Sequence, residues 1–249
     1  MADTIRIHST RPSAQELQVL VRIWMETFAG HTWRASHFPR GTETEDEERE
    51  WRVGWKLRAL DNDPTNFYVV AHEEEKKTLP GGAVEEDIII GWTSWNSVAE
   101  PGKEKSAEQK GREEVEEMGY RPDAMDKTEQ ERIRAGLKVV YKKCIGEGDA
   151  RDYWSELDSY TSVLCDNGME LTAALPVLQV LCVHPSHQRK GVATRMVRWG
   201  IEEAARHGKG VIVIATPMGK PFYASVGFQT VAEMDIWGEA FPGMVIRPP

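Results

Sequence analysis

The most constraining feature of this sequence is a pair of short apolar runs separated by one amphipathic segment. The runs cover residues 177–183 (VLQVLCV) and 211–215 (VIVIA). Almost continuous apolar strands are typical of a sheet that is buried on both faces. Between them, apolar residues recur at helical spacing as far as His207, and Gly208 follows as a helix-ending residue. Strand, helix and strand over this length predict a right-handed βαβ crossover with parallel strands.

The loop between the first run and the helix has the properties of an anion site. Residues 187–193 (HQRKGVA) enter the amino end of the helix, where backbone N–H groups lack helical partners and the dipole adds positive charge. Gly191 allows a ligand to approach the backbone, and Arg189 and Lys190 add charge. Neither GxxxxGK[ST] nor GxGxxG occurs here, which excludes a Walker A loop and a dinucleotide fingerprint. The alternative is an ordinary βα turn with basic surface residues.

Two motifs around this loop resemble those of the GNAT (GCN5-related N-acetyltransferase) superfamily. The first joins residues 181–185 (LCVHP) to residues 188–193 (QRKGVA), which match the family pattern Q/R-x-x-G-x-G/A. The second is residues 221–228 (PFYASVGF), which resemble the family's short helix with an aromatic–Tyr pair before Gly-Phe. The two motifs have the family's order and separation, and the resemblance is tight over residues 177–231.

The resemblance implies the GNAT fold, an α/β (α+β) architecture with a central mixed sheet of six or seven strands flanked by helices. Residues 1–249 would form a single acetyltransferase domain, with residues 177–231 as its acetyl-CoA-binding core. Upstream, a strand, two helices and an antiparallel strand pair follow the family's order. The strand pair should form a hairpin with a long, mobile tip around residues 80–82 (PGG).

Residues 100–171 have no counterpart in the minimal family fold. From residue 100 to about residue 148, Lys, Glu, Arg and Gln dominate and apolar residues are sparse, which predicts helices with solvated faces. Residues 152–171 are more apolar and could pack on the core. The whole segment is interpreted as a helical insert between the third and fourth strands.

The resemblance also implies a cofactor, acetyl-CoA, and the residues that hold it. In the family the fourth strand diverges from the fifth, and the pantetheine arm enters the gap. Backbone groups of the fourth strand would contact the arm and the thioester, and the loop N–H groups would hold the pyrophosphate. The implied cofactor-binding residues are Leu181, Cys182, Val183, Gln188, Arg189, Lys190, Gly191, Val192, Ala193, Thr194, Thr216, Gly219, Phe222 and Tyr223.

Two of these positions need comment. Tyr223 matches the family tyrosine that acts as the general acid for the departing CoA thiolate, so it is the predicted catalytic residue; a core tyrosine is the alternative. Thr216 stands where many family members carry an asparagine that contacts the cofactor. A hydroxyl replaces only some of the hydrogen bonds of an amide, so Thr216 and Gly219 are the weaker cofactor contacts.

The implied function is an N-acetyltransferase that transfers an acetyl group from acetyl-CoA to the amine of a small molecule or a peptide. The amine would attack the thioester directly, which requires proximity and an oxyanion donor more than a nucleophilic side chain. Two alternatives stay open. One is a catalytically inactive GNAT-like module that binds a CoA ester, and the other is an O-acyl or longer-acyl transferase on the same fold.

No motif identifies the general base or the acceptor pocket. The candidate bases are His31, His37, Glu170, His184 and Asp235. His184 is the best placed because it directly follows the fourth strand, although a structural role in the loop, or a water molecule as the base, is the alternative. Trp33, Trp92 and Trp95 suggest an aromatic cage for a cationic acceptor. Trp92 and Trp95 are an odd number of residues apart, so they should face opposite sides of a strand and at least one should be core.

The composition of the chain bears on its partners, its metal content and its location in the cell. The net charge of -9 disfavours a nucleic-acid partner. The chain has three cysteines and lacks CxxC and Cys/His metal spacings, so neither a metal site nor a disulfide framework is predicted. Cysteines outside disulfides are typical of a reducing compartment, which predicts a cytoplasmic location. The polar amino terminus and the lack of a run of about 20 apolar residues predict no signal peptide and no membrane span. A homodimer through the insert is a further expectation, although the insert's low apolar content disfavours a large hydrophobic interface.

Overall fold

The computed structural model of the 249-residue chain describes residues 5–30, 44–62, 66–79, 82–96, 127–147, 153–156, 178–236 and 238–249. None of the helices formed by these residues is long and apolar enough to cross a membrane. Their helices and strands, in chain order, are β1 Ile5–Thr10, α1 Ala14–Thr27, α2 Glu45–Asn62, β2 Asn66–Leu79, β3 Gly82–Asn96, α3 Lys127–Ile145, β4 Tyr153–Glu156, β5 Leu178–Val183, α4 Val192–Arg206, β6 Gly210–Ile214, α5 Lys220–Ser225, β7 Gln229–Ile236 and β8 Glu239–Ile246.

Both amino-terminal helices begin with a capping box. The N–H of Ser13 donates to the carboxylate of Glu16 over 2.8 Å, and the N–H of Glu16 donates to the hydroxyl of Ser13 over 3.3 Å. Thr44 and Glu47 repeat this arrangement in front of α2. Each box satisfies backbone donors that the first turn of a helix leaves without a helical partner. The predicted start of α1 at Ser13 is confirmed.

The described strands form one mixed sheet in the order β1-β2-β3-β4-β6-β8-β7, and β5 pairs with β3 outside this path. The predicted central mixed sheet is confirmed, but it has eight described strands instead of six or seven. The additional strand is β4, which pairs with β6 in parallel and meets β3 at Asn96. Because β4 and β5 both run antiparallel to β3, two separate segments take the place of one fourth strand. A four-residue strand carries too little periodicity to be recognised from the sequence.

The two faces of the sheet are covered by different helices. On one face, α1 and α2 bury a cluster that includes Leu17, Trp24 and Trp92. On the other face, α4 packs over clusters that include Trp95 and Met196. Trp92 and Trp95 therefore face opposite sides, as predicted. Both are fully buried, so neither is available as a wall of an aromatic cage. Trp33, the third predicted member, lies outside the described residues.

The described helix of the predicted insert is not solvated on all faces. The apolar side of α3 carries Ile133, Leu137, Val140, Tyr141 and Cys144. These residues pack on β6, β7 and β8 through Ile212, Met234, Ile236 and Val245. The prediction missed this because charged residues dominate the composition, while the few apolar ones recur at helical spacing and form one continuous stripe. Part of the 100–171 segment thus belongs to the core, and β4, a strand, lies within it.

Two strand predictions also change. β2 and β3 remain paired as far as Leu79 and Gly82, so the polar segment is an extended ribbon and not a long tip. β8 spans eight residues, whereas a short strand was predicted at residues 244–246. Pro242 and Gly243 disfavour a strand by propensity, but pairing with both β6 and β7 overrides that preference.

Candidate functional site

The loop between β5 and α4 has an open backbone surface. A short 3₁₀ turn, Pro185–His187, follows β5, and Gly191 is the N-cap of α4. Arg189 and Gly191 both have left-handed backbones, with φ of 64° and 81°. Apart from its two neighbours in the chain, no described residue has an atom within 4 Å of the position that a β-carbon on Gly191 would take. Left-handed residues at a helix amino terminus present backbone N–H groups in a concave arrangement that suits an anion.

The strand before this loop directs alternate backbone groups away from β3. The N–H of His184 donates to the carbonyl of Ile90 over 2.9 Å, and Cys182 is paired with Trp92. In an antiparallel pair, the residues between such positions point their N–H and C=O to the opposite side. These residues are Leu181 and Val183. Among the described strand pairings none joins β5 to β6, because β4 occupies that flank of β6 from Gly210 to Val213.

Side chains tie the end of β5 to its surroundings. The carbonyl of Val183 accepts from the amide of Gln188 and from the hydroxyl of Thr27, both over 3.1 Å. In the first turn of α4, the guanidinium of Arg195 donates to the carbonyl of Ile5 over 2.8 Å. Gln188 therefore braces the loop through its side chain.

The other predicted loop residues differ in exposure. Arg189 and Lys190 are exposed, whereas Val192 is part of the core with Val183 and Met196. Ala193 packs at the edge of that cluster, and Thr194 is half-buried. The side chains of Arg189 and Lys190 thus lie at the surface beside the backbone of Gly191.

Tyr223 is brought to the same region by α5. It is buried in a cluster with Ala215 and Phe228, and both Leu181 and Phe222 pack against that cluster. Its ring meets Phe222 and Phe228 edge to face, with centroid distances of 5.1 and 5.4 Å. Leu181 of β5 thus packs against the same cluster that contains Tyr223. Cys182 is the exception among the predicted residues, because its side chain is buried on the α1 face and its backbone pairs with β3.

Thr216 and Gly219 shape the turn that begins α5. The N–H of Gly219 donates to the hydroxyl oxygen of Thr216 over 3.1 Å and to its carbonyl over 3.0 Å. A β-carbon on Gly219 would lie 3.3 Å from Cε2 of Tyr223, so the small residue permits close packing of the aromatic ring. Thr216 thus uses its oxygen as an acceptor within its own turn, while a hydroxyl can in addition donate one hydrogen bond.

The candidate bases have different surroundings. Nε2 of His184 lies 3.0 Å from the carboxylate of Glu26, and its Nδ1 lies 2.7 Å from the hydroxyl of Ser186. Asp235 accepts from the N–H of Gly238 and lies 3.6 Å from the guanidinium of Arg132, which is a structural setting. The other three candidates, His31, His37 and Glu170, lie outside the described residues.

Sequence reasoning missed Glu26, Thr27 and Glu73. They come from α1 and β2, far in sequence from the loop that they contact. Glu26 and Thr27 occupy the last turn of α1, where nothing in the local pattern distinguishes them from an ordinary polar helix end. Only the packing of α1 beside the end of β5 brings them to the site.

The fold and the loop define a class of protein, one in which the amino terminus of a helix, with an open backbone surface, lies between two strands, β5 and β6, that are not paired with each other among the described strand pairings. Comparison with known proteins adds a family resemblance. Residues 141–230 match the family model described as acetyltransferase (GNAT) domain. This segment of the chain is therefore similar to a GNAT acetyltransferase domain, in agreement with the resemblance in its sequence.

Individual relatives are more distant. An acetyltransferase from Stachybotrys chartarum is 37% identical over 62 residues, which cover 23% of this chain and 27% of that protein. The chain thus matches only about a quarter of the length of that curated relative. A histone acetyltransferase HPA2 and related acetyltransferase from Corynebacterium glutamicum has a similar structure, with a TM-score of 0.51 at 13% identity over 98% of this chain and 97% of that one. PaiA N-acetyltransferase from Thermoplasma acidophilum, solved in complex with coenzyme A, gives a TM-score of 0.42 at 12% identity over 97% and 99% of the two chains.

Proposed function

We propose that the chain is an N-acetyltransferase that uses acetyl-CoA and acts on the amine of a small molecule or a peptide. The observation that carries this proposal is the loop at Gly191. Its left-handed backbone and the open space at its β-carbon position form a cradle at the amino terminus of α4 that a side chain would fill. The family model over residues 141–230 supports the same reading of the loop.

The residues of the cradle fit a diphosphate. Backbone N–H groups of the loop and of the first turn of α4 would hold the pyrophosphate, since that turn lacks helical acceptors. Arg189 and Lys190 are exposed beside it and add positive charge. The backbone groups of Leu181 and the N–H of Val183, which point away from β3, would hold the pantetheine arm, while the carbonyl of Val183 already accepts from Gln188 and Thr27. Thr216, Gly219 and Phe222 would flank it, and Cys182 would contribute little because its backbone is paired with β3.

Acetyl-CoA, when bound, supplies an acetyl group activated as a thioester. The chain has to orient that group, exclude water from it and manage two protons. Tyr223 is buried in the cluster against which Leu181 packs, and its phenolic oxygen can hold the proton that a departing thiolate needs. The backbone N–H of Leu181 or Val183 would supply a preorganised donor for an oxyanion. Neither role requires a nucleophilic side chain.

Calorimetric titration with acetyl-CoA tests the cradle. Micromolar binding is expected for the unmodified protein, and the Gly191→Glu variant should lose it because a carboxylate would occupy the cradle. Gly208→Glu is the matched control, since Gly208 also has a positive φ, 65°, and, its chain neighbours apart, no described atom within 4 Å of its β-carbon position. Gly208 lies beyond the opposite end of the same helix, so this variant should bind like the unmodified protein. Equal affinities for all three proteins, or no binding by the unmodified protein, would reject the site.

Thiol release in the presence of a panel of amines then separates an enzyme from the alternatives. Release with an amine supports N-acetyl transfer, and Tyr223→Phe should slow it by roughly tenfold or more if the phenol is the acid. Binding of acetyl-CoA without release by any acceptor would favour a CoA-ester-binding module. Release with alcohols, or only with a longer acyl donor, would favour the O-acyl or longer-acyl alternative.

A further inference from the structure

The carbonyl oxygen of Val183, at the end of β5, accepts two hydrogen bonds from side chains. The hydroxyl of Thr27 and the side-chain amide of Gln188 each donate to it over 3.1 Å. A carbonyl oxygen has two lone pairs, so these two donors use its full accepting capacity. This carbonyl points away from β3, but it has no lone pair left for a ligand that lies along the outer edge of β5.

The hydroxyl of Thr27 provides an acceptor in place of that carbonyl. Thr27 is the last residue of α1, and its side chain is half-buried. A hydroxyl has one proton and two lone pairs, and the bond to Val183 uses the proton. Among the described residues, no other group forms a hydrogen bond with this oxygen. Oγ1 of Thr27 is therefore an oriented acceptor beside the outer edge of β5.

Contacts on two sides of the turn after β5 hold α1 and the strand end together. On the side of α1, the carboxylate of Glu26 lies 3.0 Å from Nε2 of His184. On the side of β2, the carboxylate of Glu73 lies 2.9 Å from Nε2 of His187. Thr27 directly follows Glu26, so its hydroxyl has a defined position relative to the edge of β5. A side chain with a fixed position is what a precise ligand contact requires.

The hydrogen-bonding groups along this edge suit an extended ligand that contains amides. The N–H and C=O of Leu181 and the N–H of Val183 point away from β3, and Oγ1 of Thr27 follows them as an acceptor. Each amide of a ligand has one N–H donor and one C=O acceptor. Such a ligand can pair with β5 as an added strand would, with one N–H directed to Thr27 instead of to the carbonyl of Val183. The pantetheine arm of coenzyme A contains two amides.

We propose that Oγ1 of Thr27 accepts a hydrogen bond from an amide N–H of the pantetheine arm and so extends the ligand-binding edge of β5 onto α1. This role rests on the proposed function, because it requires coenzyme A or its acyl ester as the ligand. Valine at this position would keep the shape of the side chain but lose the acceptor. Its methyl group would also separate the ligand from the carbonyl of Val183, so neither oxygen could accept the ligand's N–H.

Calorimetry with two ligands tests this contact. Adenosine 3′-phosphate 5′-diphosphate has the nucleotide and the diphosphate of coenzyme A but lacks the arm. Thr27→Val should weaken the binding of coenzyme A roughly fivefold to tenfold, as one lost hydrogen bond would, and leave the affinity for the armless nucleotide unchanged. Thr27→Ser keeps the hydroxyl and should bind both ligands like the unmodified protein. Thr230→Val, at an exposed position of β7, is the matched control and should change neither affinity.

Two analogues of coenzyme A, each with an ester in place of one amide of the arm, identify the donor. For one of them, Thr27→Val and the unmodified protein should bind equally, because the N–H that needs Thr27 is missing.

Three outcomes would overturn the proposal. If Thr27→Val weakens coenzyme A and the armless nucleotide to the same extent, Thr27 acts only by holding the loop at Gln188. Equal affinities of Thr27→Val and the unmodified protein for coenzyme A would show that the arm does not use Thr27, and would leave the proposed function standing. No binding of coenzyme A by the unmodified protein would reject the proposed function, and this contact with it.

Discussion

A β-carbon on Gly200 would lie 2.0 Å from Cζ2 of Trp95, which is a severe steric overlap with the indole ring. Gly200 is in the middle of α4, and Trp95 is fully buried on β3. The missing side chain therefore sets how closely the helix with the candidate anion site approaches the sheet. Because a buried ring held in a packed core cannot move aside at low cost, this position accepts no larger residue.

Gly200→Ala should accordingly destabilise the protein. Alanine normally stabilises a helix relative to glycine by about 1 kcal/mol. Overpacking a core costs about 1–3 kcal/mol, so the net effect in chemical denaturation should be a loss. Gly54→Ala in α2 is the matched control, because its β-carbon would lie 3.6 Å from Nη1 of Arg58, an ordinary contact. That variant should gain stability, and a gain for Gly200→Ala as well would show that α4 sits farther from β3.

The parts of the candidate site that could be predicted from the sequence are those whose residues lie close together along the chain. The βαβ unit, the loop at Gly191 and the α5 motif lie within about fifty residues, and local patterns predicted all three. The sequence offered no means to find Glu26 and Glu73, since they reach the loop only through the packing of α1 and β2. In the sequence, Gly200 is one small residue in the apolar stripe of α4. Its close contact with Trp95 is visible only in the structure.

The fold shows the same division for the segment between β3 and β5. A mainly charged composition led to the prediction of solvated helices, yet five apolar residues of α3 are enough to cover one face of β6, β7 and β8. The strand β4 was missed because four residues carry almost no periodic signal, and its position depends on the exposed flanks of β3 and β6. The docking of α3 and the position of β4 both depend on contacts with strands that are distant in sequence.

Gly243→Ala should loosen the docking of α3. A β-carbon at Gly243 would lie 2.2 Å from Cγ1 of Val140 and 2.9 Å from Sγ of Cys144, and neither side chain is flexible at its end. We expect a loss of about 1–3 kcal/mol in the free energy of unfolding and faster hydrogen exchange in α3. In Gly136→Ala the close contact would be with the terminal methyl of Met234, at 2.7 Å, which can rotate away, while Sδ of Met234 at 3.5 Å is an ordinary contact. It should therefore change stability much less, and equal losses in the two variants would contradict this packing.

The capping box of α1 should contribute to the free energy of unfolding at neutral pH and lose that contribution in acid. Hydrogen bonds from the backbone and the side chain of Ser13 hold the pKa of Glu16 below its usual value of 4.5. Because the folded pKa lies below the unfolded one, the carboxylate stabilises the fold above the unfolded pKa, and this contribution disappears as pH falls through the folded pKa. Glu16→Gln should therefore be less stable than the unmodified protein at neutral pH and nearly equal to it in strong acid. Urea titrations at the two pH values measure this, and an unchanged difference would count against the box.

His72 should make the stability of the fold depend on pH in a higher range than Glu16 does. Burial lowers the pKa of His72 below its usual value of 6.5, an effect that outweighs the attraction of Asp87, whose carboxylate lies 3.5 Å from Nδ1. His8 stacks on the ring at 5.0 Å, and Arg6 and Glu16 are the other charged groups nearby. Among the described residues, neither ring nitrogen of His72 has a hydrogen-bond partner. The neutral ring is therefore the form that the fold accommodates.

The direction of the pH effect follows from this. Below a pH of about 6.5 the unfolded chain binds a proton at His72 that the folded chain resists, so the free energy of unfolding should fall as pH decreases toward about 5. His72→Gln cannot titrate and should show a shallower decline over the same interval. His207→Gln, at a side chain that is 58% exposed, should retain the decline of the unmodified protein. If His72→Gln and the unmodified protein lose stability in parallel, His72 is protonated as readily in the folded as in the unfolded state, and its environment is more solvated than its position under α1 indicates.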